Sequence, residues 1–396
     1  MPDSASAPAP IAFIGLGQMG LPMARRLIAA GFTVRGADPA EAPRQALVEA
    51  GGLAFAEAKE AAEGADILIT MLPNGRIVRD VLLGSGAAHA LAKGALVIDM
   101  SSSAPTDTVG LAADLGPLGL HLIDAPVSGG VKRAIDGSLA IMAGGAAEAV
   151  ERARPVLAAM GKSIFATGPI GSGHAMKALN NYVSAAGLVA ACEALLVGGR
   201  FGLAPETIVD VLNASTGRNN STEVKMKPFV ISEAFNSGFS LALMAKDLRI
   251  AADLADQLEL PLPQIQSVAA LWETAKGGLG AQADHTGLGL QLAVAVGAAG
   301  EAVQRVVRDV QLHHALAQVL QLGALRAHHH AVFGRRGAAG RRALAALDLH
   351  QAQPARAEGL QAVGGAELGD LNAGVHRGAH QRGALGHGHL LAVDLQ

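Results

Sequence analysis

The sequence predicts an α/β protein in which a doubly wound parallel sheet precedes an all-α domain and an anomalous tail. Strand patterns alternate with helical stretches over residues 11–170, which is typical of such a sheet. Strand patterns then stop, and Ala-rich helices fill residues 171–290. The composition changes again over residues 291–396, and residues 1–10 are expected to be a mobile leader.

A glycine-rich turn follows the first predicted strand, within the stretch IAFIGLGQMGLPM that begins at Ile11. Gly15 permits a tight turn, Gly17 lets a pyrophosphate approach the backbone, and Gly20 lets a helix pack on the strand. The N–H groups at the helix start would face the phosphates. A plain glycine turn is the alternative for the hexapeptide alone. The predicted cofactor contacts here are Gly15, Leu16, Gly17, Gln18, Met19 and Gly20.

An acidic residue ends the second predicted strand, residues 32–37, at Asp38. A carboxylate about twenty residues beyond the glycine motif accepts hydrogen bonds from the adenosine ribose and repels a 2′-phosphate. Pro39 and Ala40 follow it, rather than Arg. The sequence therefore predicts NAD as cofactor, with NADP less favoured. A turn residue before proline is the alternative interpretation of Asp38.

Five more strands are predicted along the first domain, over residues 65–72, 95–100, 121–124, 139–143 and 163–166. Ligands of doubly wound sheets bind beyond the carboxyl ends of the strands. This rule places Leu72, Pro73 and Ser102 beside the cofactor. An ordinary residue between strand and loop is the alternative for each. Helices are predicted over residues 41–50, 175–198, 205–213, 241–258 and 263–276.

The composition excludes several classes of protein. Half of the residues are hydrophobic and the net charge is −3, so nothing indicates a nucleic-acid partner. The single cysteine, Cys192, excludes an intramolecular disulfide and most cysteine metal sites. The first residues lack the features of a signal peptide, and no apolar run reaches membrane-spanning length without Gly or charge. We expect a cytoplasmic protein with no membrane partner.

The tail, residues 291–396, has an unusual composition. It lacks Ser, Thr, Lys, Ile, Met, Tyr, Trp and Cys, and it holds ten of the fourteen histidines. His328, His329 and His330 resemble a metal-binding tract, but the accompanying carboxylates are missing. No metal site is therefore predicted. Translation of a GC-rich gene in the wrong frame explains the segment better, and we expect the tail to be dispensable for folding.

Two stretches carry candidate reactive groups. In GSGHAMKALNN, which starts at Gly171, Lys177 and Asn181 are four residues apart and share a helix face. Burial and the positive helix end would lower the pKa of Lys177, which suits general acid/base work. A solvated helix lysine is the alternative. His174 is a rival base, interpreted as a cap or packing residue.

The second stretch is DAPVSGGV, which starts at Asp124. Ser128 offers a hydroxyl, and Gly129 and Gly130 offer backbone N–H groups that can hold a carboxylate; a plain turn is the alternative. Further on, FSLALMAKDL places Lys246 where a cation could reach the cofactor or the substrate carboxylate. A surface Lys–Asp pair is the alternative there.

Taken together, FIGLGQMGLPM, DAPVSGGVKRAIDGSL, GSGHAMKALNN and LMAKDL resemble the motifs of the β-hydroxyacid dehydrogenase family. Its members include 3-hydroxyisobutyrate dehydrogenase and tartronate semialdehyde reductase. The resemblance covers about residues 11–286, and it implies a Rossmann domain, an all-α domain and a catalytic lysine. The roles that it implies are catalysis by Lys177, substrate binding by Ser128, Gly129, Gly130 and Asn181, and cofactor contacts by Leu72, Pro73, Ser102 and Lys246.

The sequence departs from the family after ADHT, residues 283–286, where family chains usually finish within a short helix. We expect NAD-dependent oxidation of a small 3-hydroxy acid, or the reverse reduction, by a homo-oligomer. A non-catalytic nicotinamide-binding regulatory protein is one alternative. A phosphogluconate-type oxidative decarboxylase is another, although no compact Arg cluster for a sugar phosphate is visible.

Overall fold

A computed structural model of the protein describes residues 10–297. The expectations for residues 1–9 and 298–396, which include most of the tail, lie outside the described residues. Within the described part, a sheet-containing domain is followed by a helical one, as the sequence predicts.

The sheet has the strand order β3-β2-β1-β4-β5-β6-β8-β7, and β9 pairs with β8. Its first six strands are parallel, β8 runs antiparallel to β6, and β9 is parallel to β8. The order reverses between β1 and β4, which opens a ligand-binding crevice beyond their carboxyl ends. The strands are β1 (Ile11–Ile14), β2 (Val34–Ala37), β3 (Leu53–Phe55), β4 (Ile67–Thr70), β5 (Leu96–Asp99), β6 (His121–Asp124), β7 (Val127–Ser128), β8 (Leu139–Gly144) and β9 (Gly161–Gly168).

Alternating side chains of the central strands fill two cores, one on each face of the sheet. On β5, Leu96 and Ile98 join one apolar cluster, whereas Val97 joins the other. Helices cover both faces, as a parallel sheet requires. The helices of this domain are α1 (Gly20–Ala29), α2 (Glu41–Glu49), α3 (Ala58–Ala62), α4 (Gly75–Arg79), α5 (Ala87–Ala90), α6 (Pro105–Leu115), α7 (Gly130–Asp136) and α8 (Ala147–Met160).

The second domain is built around α9 (Ser172–Phe201), whose thirty residues span about 45 Å at the usual rise. Its core packs around the fully buried Trp272. By length and composition α9 could cross a membrane, which is weak evidence because core helices meet the same criterion. The other helices are α10 (Pro205–Ala214), α11 (Asn220–Val224), α12 (Leu241–Gln257), α13 (Pro263–Leu279) and α14 (Leu288–Ala295).

The structure adds elements that sequence patterns did not predict. Strands β3 and β7 have three and two residues, too few for alternation to be recognised. Helix α9 begins three residues earlier than predicted, because Gly171 at φ +89° turns the chain directly into it. Helix α11 was also missed, although Asn219 caps it by accepting hydrogen bonds from the N–H groups of Ser221 and Thr222.

Candidate active site

The turn between β1 and α1 has the shape that a dinucleotide requires. Gly15 has φ +97°, and a Cβ there would overlap the carbonyl oxygen of Met71. A Cβ on Gly20 would overlap the carbonyl oxygen of Gly15, so α1 can approach the strand only without a side chain. Gly17 is exposed, and no atom lies within 4 Å of its Cβ position. A pyrophosphate could therefore approach the backbone at Gly17.

The half-buried carboxylate of Asp38 closes this turn from the end of β2. Its Oδ2 accepts a hydrogen bond from the Leu16 N–H and its Oδ1 one from the Ala40 N–H, each at 2.9 Å. Each oxygen keeps a lone pair for a ribose hydroxyl. Arg44 donates to the carbonyl oxygens of Asp38 and Pro39 at 2.8 Å. The residues directly after Asp38 do not predict this guanidinium, because Arg44 lies six positions beyond Asp38.

A row of polar residues lies at the carboxyl edge of the sheet. The strand register sets Thr70 beside Asp99, and Asp99 beside Asp124. The buried Asp99 carboxylate accepts hydrogen bonds from Thr70 Oγ1, from the Ser101 N–H and from Ser103 Oγ, at 2.9–3.0 Å. These bonds fix the loop after β5, which carries Ser102.

The loop after β4 is tied to the loop after β5. Ser101 Oγ accepts a hydrogen bond from the Leu72 N–H at 2.9 Å. The two predicted cofactor-lining loops, with Leu72 and Pro73 on one and Ser102 on the other, are therefore held side by side.

Helix α9 is anchored to the sheet at its first turn. The fully buried Asp124 carboxylate accepts hydrogen bonds from the N–H groups of Gly171 and His174, both at 2.7 Å. The first N–H groups of a helix have no partner within it. A carboxylate there accepts their hydrogen bonds and interacts favourably with the positive end of the helix dipole.

The ring of His174 serves the same junction. Its Nε2 donates to the carbonyl oxygen of Ser101 at 3.1 Å, and its Nδ1 pairs with Thr108 Oγ1 at 2.7 Å. A carbonyl oxygen can only accept, so Nε2 is assigned a proton. The ring is buried, with both nitrogens occupied, so His174 packs between sheet and helix.

Lys177 is partly buried one turn after His174. Burial lowers the pKa of Lys177, nearby Asp247 opposes that shift, and Lys246 adds to it. The lysine lies in the second turn of α9, so burial, rather than a first-turn position, is the main cause. No hydrogen bond or ion pair within residues 10–297 involves its ammonium, which leaves the group free to meet a substrate.

Asn181 and Lys246 meet at the buried carboxylate of Asp247. Asn181 Nδ2 donates to Asp247 Oδ2 at 2.6 Å, and Lys246 Nζ lies 3.2 Å from Asp247 Oδ1. Asp247 is only 2% exposed, so the alternative of a surface Lys–Asp pair is wrong. The sequence predicted no role for Asp247, and the apolar residues around it were the one available sign of its burial.

Lys246 also joins the two domains. Its Nζ donates to the carbonyl oxygens of Pro73 at 3.2 Å and Ser102 at 2.6 Å. Three of the predicted cofactor contacts are therefore brought together, and the Lys177 side chain lies close enough to Lys246 to feel its charge.

The glycine loop after β6 forms a separate part of the candidate site. Ser128 is half-buried and ends β7, which pairs with β8, while Gly129 and Gly130 are exposed. Both glycines have positive φ, +132° and +66°, where side chains are disfavoured. Among the described residues, no hydrogen bond connects this loop to Lys177 or Asn181. No group of three or more potential metal ligands occurs in the same part of the chain.

Comparison with known proteins identifies the family. Residues 10–168 match the model described as the NAD binding domain of 6-phosphogluconate dehydrogenase. Residues 171–292 match the model described as NAD-binding of NADP-dependent 3-hydroxyisobutyrate dehydrogenase. Together the two matches span most of the described residues and leave the tail outside.

Curated relatives and solved structures agree with these matches. 2-(Hydroxymethyl)glutarate dehydrogenase of Eubacterium barkeri is 38% identical over 68% of this chain and 90% of its own. NAD-dependent L-serine dehydrogenase of Pseudomonas aeruginosa is 39% identical over 62% of this chain and 85% of its own. The structure described as Mycobacterium tuberculosis 3-hydroxyisobutyrate dehydrogenase with L-serine has a TM-score of 0.67 at 35% identity, covering 72% of this chain and 99% of that one. The chain is therefore an oxidoreductase with a nicotinamide-binding Rossmann domain, and it belongs to the β-hydroxyacid dehydrogenase family.

Proposed function

We propose that the protein oxidises a small 3-hydroxy acid to its semialdehyde with NAD, or catalyses the reverse reduction, and that Lys177 is the general acid/base. The observation that carries the proposal is the state of the Lys177 side chain. Its pKa is lowered mainly by burial, its ammonium has no partner within residues 10–297, and Lys246, whose charge acts on it, binds the loops that would line the nicotinamide.

Lys177 would move the proton of the substrate hydroxyl. The bound cofactor supplies a hydride acceptor for the carbinol carbon in oxidation and a hydride donor in reduction. In oxidation the neutral Nζ of Lys177 takes the hydroxyl proton. In reduction the protonated Nζ polarises the carbonyl oxygen and returns the proton. A lowered pKa brings the neutral amine closer to working pH, which is the direction that this exchange requires.

The other candidate residues would bind and orient the substrate. Ser128, Gly129 and Gly130 offer one hydroxyl and two backbone N–H groups for the substrate carboxylate. Asn181 is fixed by its hydrogen bond to Asp247, and it would offer the substrate a polar group beside Lys177. Lys246 keeps the loops at Pro73 and Ser102 against the helical domain, and this contact would help to exclude water from the reacting carbon.

A panel of 3-hydroxy acids tests the function. With NAD, we expect reduction of the cofactor, followed by absorbance at 340 nm, for at least one three- to five-carbon 3-hydroxy acid. 2-Hydroxy acids of the same length serve as controls, because they place the carbinol one carbon closer to the carboxylate. Absence of turnover across the panel in both directions would contradict the proposal and favour a non-catalytic nicotinamide-binding protein.

The preference for NAD is proposed to depend on Asp38. We expect Asp38→Ser combined with Pro39→Arg to lower the NAD-to-NADP ratio of kcat/KM by at least about tenfold, because a repelling carboxylate is replaced by an attracting cation. Glu49→Ser, on the exposed side of α2, is the matched control. Equal use of both cofactors by the unmodified protein would remove the basis for this assignment.

A further inference from the structure

A second buried amine lies against the same helix as Lys177. Lys225 directly follows α11 and is partly buried, and its Nζ donates to Ser184 Oγ at 3.2 Å. Burial lowers the pKa of Lys225, and Asp284 opposes this shift. Lys177 and Lys225 are the lysines within residues 10–297 whose pKa is lowered in this way. Only Lys177 was predicted from the sequence as a candidate reactive group.

The ammonium of Lys225 has unused hydrogen-bonding capacity. It carries three donors, and Ser184 Oγ accepts one of them. No carboxylate of the described residues lies within 4 Å of its Nζ. By contrast, the neighbouring Lys227 is exposed and forms an ion pair with Asp210. A partly desolvated cation without an anionic partner favours binding of an anion from outside the chain.

The helix geometry places this amine on the same side of α9 as Lys177. Ser184 follows Lys177 by seven residues, so both lie on one helix face about 10 Å apart. Helix α12 packs against the same part of α9, where Asn181 Nδ2 donates to Asp247 Oδ2. At the start of α12 the backbone of Ser240 bridges that of Asp284, whose charge acts on Lys225.

The groups behind Lys225 do not neutralise it by contact. Burial raises the pKa of Asp284, but hydrogen bonds from Thr286 and Ser237, with the adjacent His285, outweigh that effect and keep it below its usual value. The Asp284 carboxylate also accepts the Gly238 N–H at 2.8 Å, so its oxygens are already engaged. Burial, reinforced by Lys225, lowers the pKa of His285 to about 4, so its ring is neutral at neutral pH.

We propose that Lys225 and Ser184 form a second anion-binding subsite, which holds a carboxylate or similar oxyanion of the substrate remote from the carbinol. The inference rests on the proposed function, since it assumes that the carbinol lies at Lys177. It assigns the protein to hydroxy acids that carry a second anionic group several bonds from the reacting carbon. A substrate without that group would leave the Lys225 ammonium desolvated and unpaired.

Binding of simple acids tests the subsite without requiring turnover. The full chain, saturated with NAD, is titrated by calorimetry with glutarate, a dicarboxylate, and with butyrate, a monocarboxylate of similar length. We expect glutarate to bind at least about tenfold more tightly, since a charge-assisted hydrogen bond in a partly buried site supports such a difference. Lys225→Met should abolish the preference, and the matched control Lys227→Met should retain it.

Two further variants keep the test valid if Lys225→Met folds poorly. Lys225→Arg should retain most of the preference because the charge remains, and Ser184→Ala should reduce it partially. Equal affinities for glutarate and butyrate in the unmodified protein, or a preference that survives in Lys225→Met, would overturn the subsite. Failure of every hydroxy acid in the panel contradicts the proposed function instead, so the two failures are distinguishable.

Discussion

Lys177→Ala is expected to lower turnover by about a hundredfold to ten-thousandfold, the usual range for loss of a general acid/base group. NAD affinity should change little, because the predicted contacts of the adenine half lie in the first domain. The neighbouring His174 cannot replace the amine, since both nitrogens of its ring are occupied. The measurements are kcat with the best substrate of the panel and NAD affinity by fluorescence titration.

The pH profile separates a proton-transfer role from a packing role. Because burial lowers the pKa of Lys177, oxidation should accelerate as pH rises through that pKa and the amine becomes neutral, while reduction should slow over the same interval. Lys177→Arg should also fail, because a guanidinium keeps its proton at working pH. The exposed Lys162→Ala serves as control. Near-normal turnover in a folded Lys177→Ala protein would assign the proton transfer to another group.

Asp124→Ala is expected to destabilise the protein by about 2–6 kcal/mol, because two buried N–H groups lose their acceptor at about 1–3 kcal/mol each. The affected groups are the N–H groups of Gly171 and His174. The start of α9 would loosen, so activity should fall together with stability. Urea unfolding followed by circular dichroism and the kcat of the folded fraction measure the two effects.

The control for Asp124 is an aspartate on the surface. Asp114 forms an exposed ion pair with Arg79, so Asp114→Ala should cost no more than about 1 kcal/mol. Asp124→Asn keeps one acceptor oxygen and should fall between the two. Equal stability of Asp124→Ala and Asp114→Ala would mean that the anchor of α9 lies elsewhere.

The fold was largely predictable because its signals are local. The buried strands around the glycine motif and the Ala-rich helices are each recognisable from the pattern of apolar residues over a short stretch. The observed strand order agrees with the predicted doubly wound sheet. Strand β7 was not predictable, since its two residues pair only through distant β8. Helix α11 depends on the side-chain cap of Asn219, and a pattern of apolar residues does not reveal such a cap.

The candidate site was less predictable, because burial depends on residues far apart in the sequence. Lys246 and Asp247 look like a surface pair until α9 brings Asn181 to the carboxylate. Burial lowers the pKa of Lys225, and its hydrogen bond to Ser184 reaches 41 positions back along the sequence. Arg44 reaches Asp38 only because α2 turns back over the end of β2. In each case the charged residue can be read from the sequence, whereas its burial and its contact partners cannot.

The anchoring of α9 has a consequence for the order of folding during synthesis. Asp124 leaves the ribosome about fifty residues before the N–H groups of Gly171 and His174 that it accepts in the native structure. Until α9 emerges, the Asp124 carboxylate has no N–H groups to accept from and must stay hydrated, so it cannot be buried as in the native structure. A nascent chain ending near residue 170 would therefore contain every strand of the sheet and still be short of native stability. Helix α9 supplies that stability, so the nucleotide-binding domain and Lys177 reach their final form in the same step.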